Sequence, residues 1–382
     1  MDRAEVGFDD LFVRRSSQDH KVQARDYLAT GRFPVVDQGQ KAIAGYSDRE
    51  DLLFRVPPGG AVVFGDHTRL TKYVDFDFLV GADGTQLLLA RPPHDVRFLA
   101  YLLELNRVPD GGYSRHFKYL QTMRFQVPSA EEQVRIATVI RDLDDQVRCL
   151  ERLVIKQRRV REAVAQDLLS GKRRVADHDT DWSVRALSTL GSFLKGRGIR
   201  RDDVRDEGVP CIRYGELYTL YRDYVSEPLS RVDDAVAKTA FPLRKGDLLF
   251  TGSGETAAEI GTCVAYVGDG PAVAGGDLVL LRPRPSHDPV FLACLMNTPP
   301  LRARRARLAQ GDAVVHISAA ALGSIEVAMP DGAEQAAIAA VIADLDAETR
   351  ALEARLEKVR RVRLGVLQEL VGTRRRPRVG AA

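Results

Sequence analysis

The sequence predicts an α+β protein made by internal duplication. Two β-rich globular units are expected, joined by two long helices that pair as an antiparallel coiled coil with a pseudo-twofold relation between the copies. Three observations carry this. "AEEQVRIATVIRDLDDQVRCLE" at 130–151 returns as "GAEQAAIAAVIADLDAETRALE" at 332–353, matching residues standing 202 positions apart with no insertion. Both copies run on as stretches with apolar residues at heptad spacing. The matches also extend beyond these stretches, in the same order.

The long helices come first because they are the most regular. From Glu131 to Ser170 there is neither Gly nor Pro, and strong helix formers dominate. Ile136, Ile140, Leu143, Val147, Leu150 and Val154 follow a 4-3-4-3-4 spacing, the seam of a coiled coil. The second copy puts Ile338, Ile342, Leu345, Thr349, Leu352 and Leu356 on the same seam. About 40 residues rising 1.5 Å each make a rod of roughly 60 Å. Pro128 and Pro330 precede the starts, and Gly171 and Gly372 follow the ends, as helix punctuation predicts. Two helices packed in an ordinary core would show the same seam; equal length and register favour mutual pairing.

Outside the helices, "GRFPVVDQG" (31–39) answers to "EGVPCIRYG" (207–215), and "PPGGAVVFGDHT" (57–68) to "LRKGDLLFTGSGET" (243–256). "LVGADGTQLLLARP" (79–92) answers to "AVAGGDLVLLRP" (272–283), and "HDVRFLAYLL" (94–103) to "HDPVFLACLM" (287–296). "GGYSRHFKYL" (111–120) answers to "QGDAVVHISAAAL" (310–322). Short β-branched runs bounded by Gly and Pro read as strands, and one helix is expected near 95–105 and again near 289–297. The order is therefore unit (1–128), helix (129–172), unit (173–329), helix with a basic tail (330–382).

Composition limits the function classes. No apolar run approaches the roughly 18 residues of a membrane span, and the N-terminal segment has no apolar core of a signal peptide. Cys149, Cys211, Cys263 and Cys294 lie far apart with no CxxC, which speaks against a zinc site or disulfide scaffold and for a reducing, cytoplasmic setting. The net charge of +3 is no basic footprint: 1–128 carries 17 basic and 17 acidic residues, and 173–329 carries 20 of each. Any nucleic-acid contact must come from local patches.

Two stretches imitate catalytic sites. "DLLFTGSGETAAEIG" (247–261) has the glycines of an S-adenosylmethionine loop, but its counterpart "AVVFGDHTRL" lacks them, and no Asn/Asp-Pro-Pro-aromatic motif accompanies it. "FGDHTRLTKYVDFDF" (64–78) gathers Asp66, His67, Asp75 and Asp77, yet the duplicate has Thr251 and Ser253 where the first copy has Gly65 and His67. A metal site needs convergent ligands, so no catalytic or metal residue is assigned. The loops suit contacts to phosphates and base edges instead. In the first unit these are Gln38, Gln40, Lys41, Tyr46, His67, Thr68, Arg69, Lys72, Arg115, His116 and Lys118. In the second they are Arg213, Tyr214, Ser253, Glu255, Thr256, Arg304, Arg307, Gln310 and His316, with Arg302 and Arg305 in the same arginine run. A solvated loop or charged face is the plainer alternative for each one taken alone.

A Pro, then Glu-Gln, Ile-Ala, Ile and Leu-Asp opening a long helix that closes near Gln-x-Leu-Leu-x-Gly-Lys resembles the specificity subunits of type I restriction–modification enzymes. Here the residues are Pro128, Glu132, Gln133, Ile136, Ala137, Ile140, Leu143, Asp144, Gln166, Leu168, Leu169, Gly171 and Lys172. They recur as Pro330, Glu334, Gln335, Ile338, Ala339, Ile342, Leu345, Asp346, Gln368 and Leu370. "DWSVRALSTLGSFLKGRG" (181–198) resembles the start of a target-recognition domain; the first unit lacks a Trp182 counterpart, and the second helix lacks the Gly-Lys. The resemblance implies that each unit is a target-recognition domain reading half of a bipartite site in double-stranded DNA. It implies paired spacer helices that set the unread gap and dock two methyltransferase subunits and a restriction/translocase subunit. Docking would fall on Glu132, Gln133, Glu334, Gln335 and the seam. The chain itself would be non-catalytic and without cofactor, with S-adenosylmethionine, Mg and ATP confined to its partners, in phage defence. The alternative is a recognition module of a different single-chain or multi-subunit DNA-modifying defence enzyme.

Overall fold

The computed structural model describes residues 3–109, 115–175, 178, 180–254, 256, 259–311 and 315–372. Two compact units emerge, Met1–Leu153 with Leu352–Ala382, and Val154–Ala351. Each therefore contains one β-rich body and a part of both long helices.

In the first unit, Ala4–Gly7 pairs antiparallel with Arg124–Val127. A four-stranded antiparallel sheet follows in the order Phe12–Arg15, Thr85–Ala90, Ala61–Gly65, Thr71–Val74. A second sheet runs Lys21–Val22, Leu79–Gly81, Phe33–Val36, Gly45–Ser47 and contains parallel pairings, among them Val35 with Leu79. Ala61–Gly65 is buried throughout, because the alternation of a strand serves two cores at once. Val62 and Phe64 pack with the helix Val96–Leu105, while Ala61 and Val63 pack with Val36, Phe78 and Val80.

The second unit repeats the plan. Ser183–Ala186 pairs with Glu326–Met329. One sheet runs Gly191–Lys195, Leu278–Pro283, Leu248–Thr251, Cys263–Tyr266, Tyr224–Val225, and the other Val204–Arg205, Ser230–Val232, Val209–Ile212, Val273–Ala274, Phe241–Pro242. Cys211 pairs in parallel with Val273, as Val35 does with Leu79. The short helix returns as Pro289–Met296, and both short helices are capped alike. Asp95 accepts from Phe98 N at 2.7 Å, and Asp288 from Phe291 N at 2.8 Å, satisfying amides that a helix start leaves without a partner.

The long helices are Ala130–Leu169 and Gly332–Leu370, and they pack antiparallel as the seam predicts. In the first unit Arg360 reaches Glu151 while Arg363 reaches Asp144; in the second Gln157 reaches Glu348 while Arg161 reaches Asp346. Advancing along one helix thus means retreating along the other. Leu150, Val154 and Leu356 are buried on the seam, and Leu143, Val147, Leu345 and Leu352 are half-buried. Ile136 and Ile140 do more than face the other helix. They enter the core that Phe98, Leu99 and Leu102 build in the first unit. Ile338 and Ile342 do the same with Phe291, Leu292 and Leu295 in the second. Each long helix begins rooted in a body and becomes a coiled-coil strand further on. No helix among the described residues is long and apolar enough to cross a membrane.

Candidate nucleic-acid interface

In the first unit the loop after Ala61–Gly65 turns back on itself. A Cβ at Gly65 would collide with Thr68 Oγ1 and the Gln38 side chain, so only glycine lets the loop close. Gln38 then holds it: its Oε1 accepts from His67 N at 3.0 Å and its Nε2 donates to Asp83 O at 2.8 Å. Thr68 Oγ1 donates to Gln38 O at 2.6 Å. The amide expected to read adenine in two-pronged fashion is thus engaged at both ends within its own unit. Lys72 needs the same correction. Its Nζ donates to Asp37 O at 2.7 Å and Lys41 O at 2.6 Å, with only 12% of the side chain exposed. Burial lowers its pKa against the pull of Asp37. It ties two strands of the loop together and offers no charge to a ligand.

His116 is buried, with Nδ1 3.0 Å from Asp66 O and its own N–H donating to the same oxygen at 2.9 Å. Asp66 Oδ1 accepts from Phe117 N at 2.7 Å. His116 and Asp66 therefore pin the loop to the helix that follows, and His116 is not a surface contact. Gln40, Lys41, His67, Thr68, Arg115 and Lys118 are exposed, while Tyr46 and Arg69 are half-buried. Tyr46 exchanges backbone bonds with Leu28, and Arg69 Nη1 reaches Val108 O at 3.4 Å. Asp75 and Asp77 do not join Asp66: they pair with Arg97 and Arg55.

In the second unit Ser253–Gly254 pairs with Val315–His316, and Gln310 bridges to His316, so the structure brings Ser253, Gln310 and His316 together. Ser253 Oγ lies 2.9 Å from His316 Nδ1 and is largely buried, which makes it a support for the exposed His316. Arg213 Nε donates to the buried Glu216 at 2.7 Å, whereas its neighbour Tyr214 is exposed. Thr256, Arg307 and Gln310 are exposed and Arg304 is half-buried, its Nη1 near Glu326 O. Glu255 lies outside the described residues. Arg305, part of the expected phosphate-facing run, is fully buried and donates to Met296 O, the end of Pro289–Met296. Burial pushes its pKa down to about 10; it remains charged at neutral pH, capping helix carbonyls.

The Glu-Gln of the long-helix motif also changes role. Gln133 Oε1 accepts from Asp95 N at 3.1 Å and Nε2 donates to Pro128 O at 2.9 Å. Gln335 accepts from Asp288 N at 3.1 Å and donates to Pro330 O at 2.8 Å. Both are buried, as is Glu334, which receives Arg174 through two bonds of 2.7 Å and Trp182 Nε1 at 3.3 Å. These three staple each long helix to its body and present nothing for a partner to touch. Glu132 is half-buried.

Residues outside the expected set line a polar cleft in the first unit with His67 and Arg115: Arg14, Thr85 and Gln86 from strands, with Ser16, Ser17 and Gln18. No group of three or more His, Cys, Asp or Glu placed to hold a metal occurs among the described residues.

These features define a class: a duplicated frame in which a β-rich body roots a long helix, with differing loops on equivalent turns. Solved structures share this fold. The chain is similar to the S subunit of a type I restriction–modification system from M. genitalium, with a TM-score of 0.66 at 16% identity over 97% of this chain and 96% of that one. It is also similar to a chain from a structure described as the complex assembly and conformational transition of the type I R-M system, with a TM-score of 0.55 at 16% identity and 97% of each chain covered. Its fold is that of type I specificity subunits. No protein-family model matches the chain. A curated relative, the specificity subunit of type I restriction enzyme EcoR124I/EcoR124II from Escherichia coli, is 35% identical over 57 residues, 15% of this chain. The match spans 14% of that relative's length.

Proposed function

We propose that this chain is the DNA sequence-recognition subunit of a type I restriction–modification enzyme, each unit reading one half of a bipartite site. The observation that carries it is a constant frame with variable loops. The Gln133 and Gln335 staples agree within 0.1 Å, yet the equivalent turns offer His67 and Thr68 in one unit and Ser253 in the other. A reader of two different half-sites needs such a division, because backbone contacts position a protein while differing side chains specify bases. The chain acts as a non-catalytic, cytoplasmic component without cofactor. Methylation with S-adenosylmethionine, and cleavage with ATP and Mg, belong to modification and restriction subunits docked on it.

The test is enrichment of random duplex DNA by the full chain co-expressed with a type I modification subunit. A motif of two short half-sites separated by a fixed unread gap is expected. Enrichment of one continuous motif, or none, would overturn the proposal; failure to co-purify with any modification subunit would move the chain to a different class of DNA-modifying defence enzyme.

A further inference from the structure

The polar cleft of the first unit has a volume of about 630 Å³ and lies beside the loop that follows Ala61–Gly65. Arg14, Lys21 and Arg115 line it, against Asp66 and Asp83. Lys21 faces Asp83 at 3.9 Å and Asp66 is engaged by Phe117 N, whereas neither Arg14 nor Arg115 enters an ion pair among the described residues. Arg14 rests 5.2 Å from the centre of the Phe117 ring. Thr85, only 2% exposed, lines the same cleft, and its hydroxyl has no partner among the described residues. A buried hydroxyl without a partner is costly and calls for a cause.

The second unit shows that the fold does not demand this lining. Strand register equates Arg14 with Phe193: Arg14 pairs with Leu88, whose other partner is Val62, and Phe193 pairs with Leu281, whose other partner is Leu248. It equates Thr85 with Leu278 and Gln86 with Val279 through their pairing to Gly65 and Thr251, and to Phe64 and Phe250. Ser17, whose hydroxyl reaches Thr85 O, corresponds to Gly196, whose N–H donates to Leu278 O. Where one copy has Arg, Ser, Thr and Gln, the other has Phe, Gly, Leu and Val on the same frame.

We infer that this cleft holds one backbone phosphate of the DNA half-site read by the first unit, gripped by Arg14 and Arg115 with the Thr85 hydroxyl as a buried donor. The inference rests on the DNA-recognition function proposed above. Guanidinium groups match phosphate oxygens in two-pronged geometry, and hydroxyls complete such contacts. The clamp belongs to one copy only, so the two units contribute unequally to the salt-dependent part of binding.

The experiment measures affinity of the full chain for a labelled random-sequence duplex across a KCl series. Losing one phosphate contact lowers the slope of log affinity against log salt by about 0.9, the change expected for Arg14→Gln/Arg115→Gln. Thr85→Val, which mimics the apolar residue of the other copy, is expected to weaken binding about tenfold without lowering the Tm, and so serves even if the arginine variant misfolds. Wild-type slope in the arginine variant, or wild-type affinity in Thr85→Val, would overturn the clamp while leaving DNA recognition intact. No duplex binding by the wild type would instead sink DNA recognition itself. In a parallel arm, inorganic phosphate at matched ionic strength should leave the Tm unchanged; a rise abolished by Arg14→Gln/Arg115→Gln would assign the cleft to a free anion and overturn the inference.

Discussion

Arg161 donates from Nε to Asp346 at 3.0 Å, and Arg363 donates from Nε to Asp144 at 2.7 Å. Arg363 and Asp346 stand 202 positions after Arg161 and Asp144, so each arginine takes the carboxylate of the opposite copy. The surroundings correspond too. Arg161 also reaches Asp223 and Arg363 reaches Glu104, both at 2.6 Å, while Tyr224 and Tyr101 donate to the second oxygen of Asp346 and Asp144. Reciprocal contacts of this kind are how a self-complementary interface is built, here between two copies in one chain.

The two clusters differ in burial, which predicts unequal cost. Arg161 and Asp223 have side chains 7% exposed, against 20% and 35% for Arg363 and Glu104. Arg161→Met would strand two buried carboxylates and should cost about 3–5 kcal/mol. Arg363→Met leaves its acids nearer water and should cost roughly 1–2 kcal/mol. Urea unfolding of both variants checks the order, and a double-mutant cycle with Asp346→Asn should show coupling above about 0.5 kcal/mol. An equal or larger loss at Arg363 would contradict burial as the deciding factor.

The glutamine staples yield a matched pair of expectations. Gln133→Leu frees Asp95 N–H and Pro128 O inside the first unit, and Gln335→Leu frees Asp288 N–H and Pro330 O inside the second. Two buried polar groups without partners cost about 2–4 kcal/mol together, offset in part by the apolar side chain. Each variant should therefore lose stability by a similar amount, because the same residue types make these contacts in both copies. Calorimetric melts showing one position tolerant and the other not would separate the copies.

Much of the frame was legible because its signals are local. Heptad spacing acts within a few turns, and the first stretch has neither Gly nor Pro from Glu131 to Ser170, so both long helices are legible within 129–172 and 330–382. Sheet order is not: strands as short as Val209–Ile212 and Val273–Ala274 pair across sixty residues of chain, with nothing nearby to announce it. The arginine pairs carry a sequence signal of their own. Continuing the seam from Val154 lands on Gln157 and Arg161, and from Leu356 on Val359 and Arg363; a charged residue on a seam asks for a partner. At the loops, residue type misled. Lys72 and Gln38 look like ligand contacts until their polar atoms are found on Asp37 O, Lys41 O, Asp83 O and His67 N. Composition alone cannot distinguish a side chain that faces outward from one that closes a loop.

The cysteines offer a probe of the Arg161 cluster. Cys149 is exposed, while Cys211, Cys263 and Cys294 are buried. Burial pushes the Cys211 thiol up to about 12 and holds Cys263 and Cys294 above the ordinary range as well. Since the thiolate is the reactive form, a maleimide at pH 7.5 should modify one thiol of the native chain, and Cys149→Ser should abolish that modification. Cys294 lines the same cavity as Arg161, Asp223 and Asn297, so its reaction must await local opening. Arg161→Met raises the population of that opened state by roughly the factor its stability loss implies, a hundredfold or more for about 3 kcal/mol. In a Cys149→Ser background, mass spectrometry of the labelled chain should accordingly find Cys294 modified far faster once Arg161 is replaced, with Cys211 unchanged. Equal acceleration at Cys211 would mean that the pair supports the whole unit and not the local contact of helix and body.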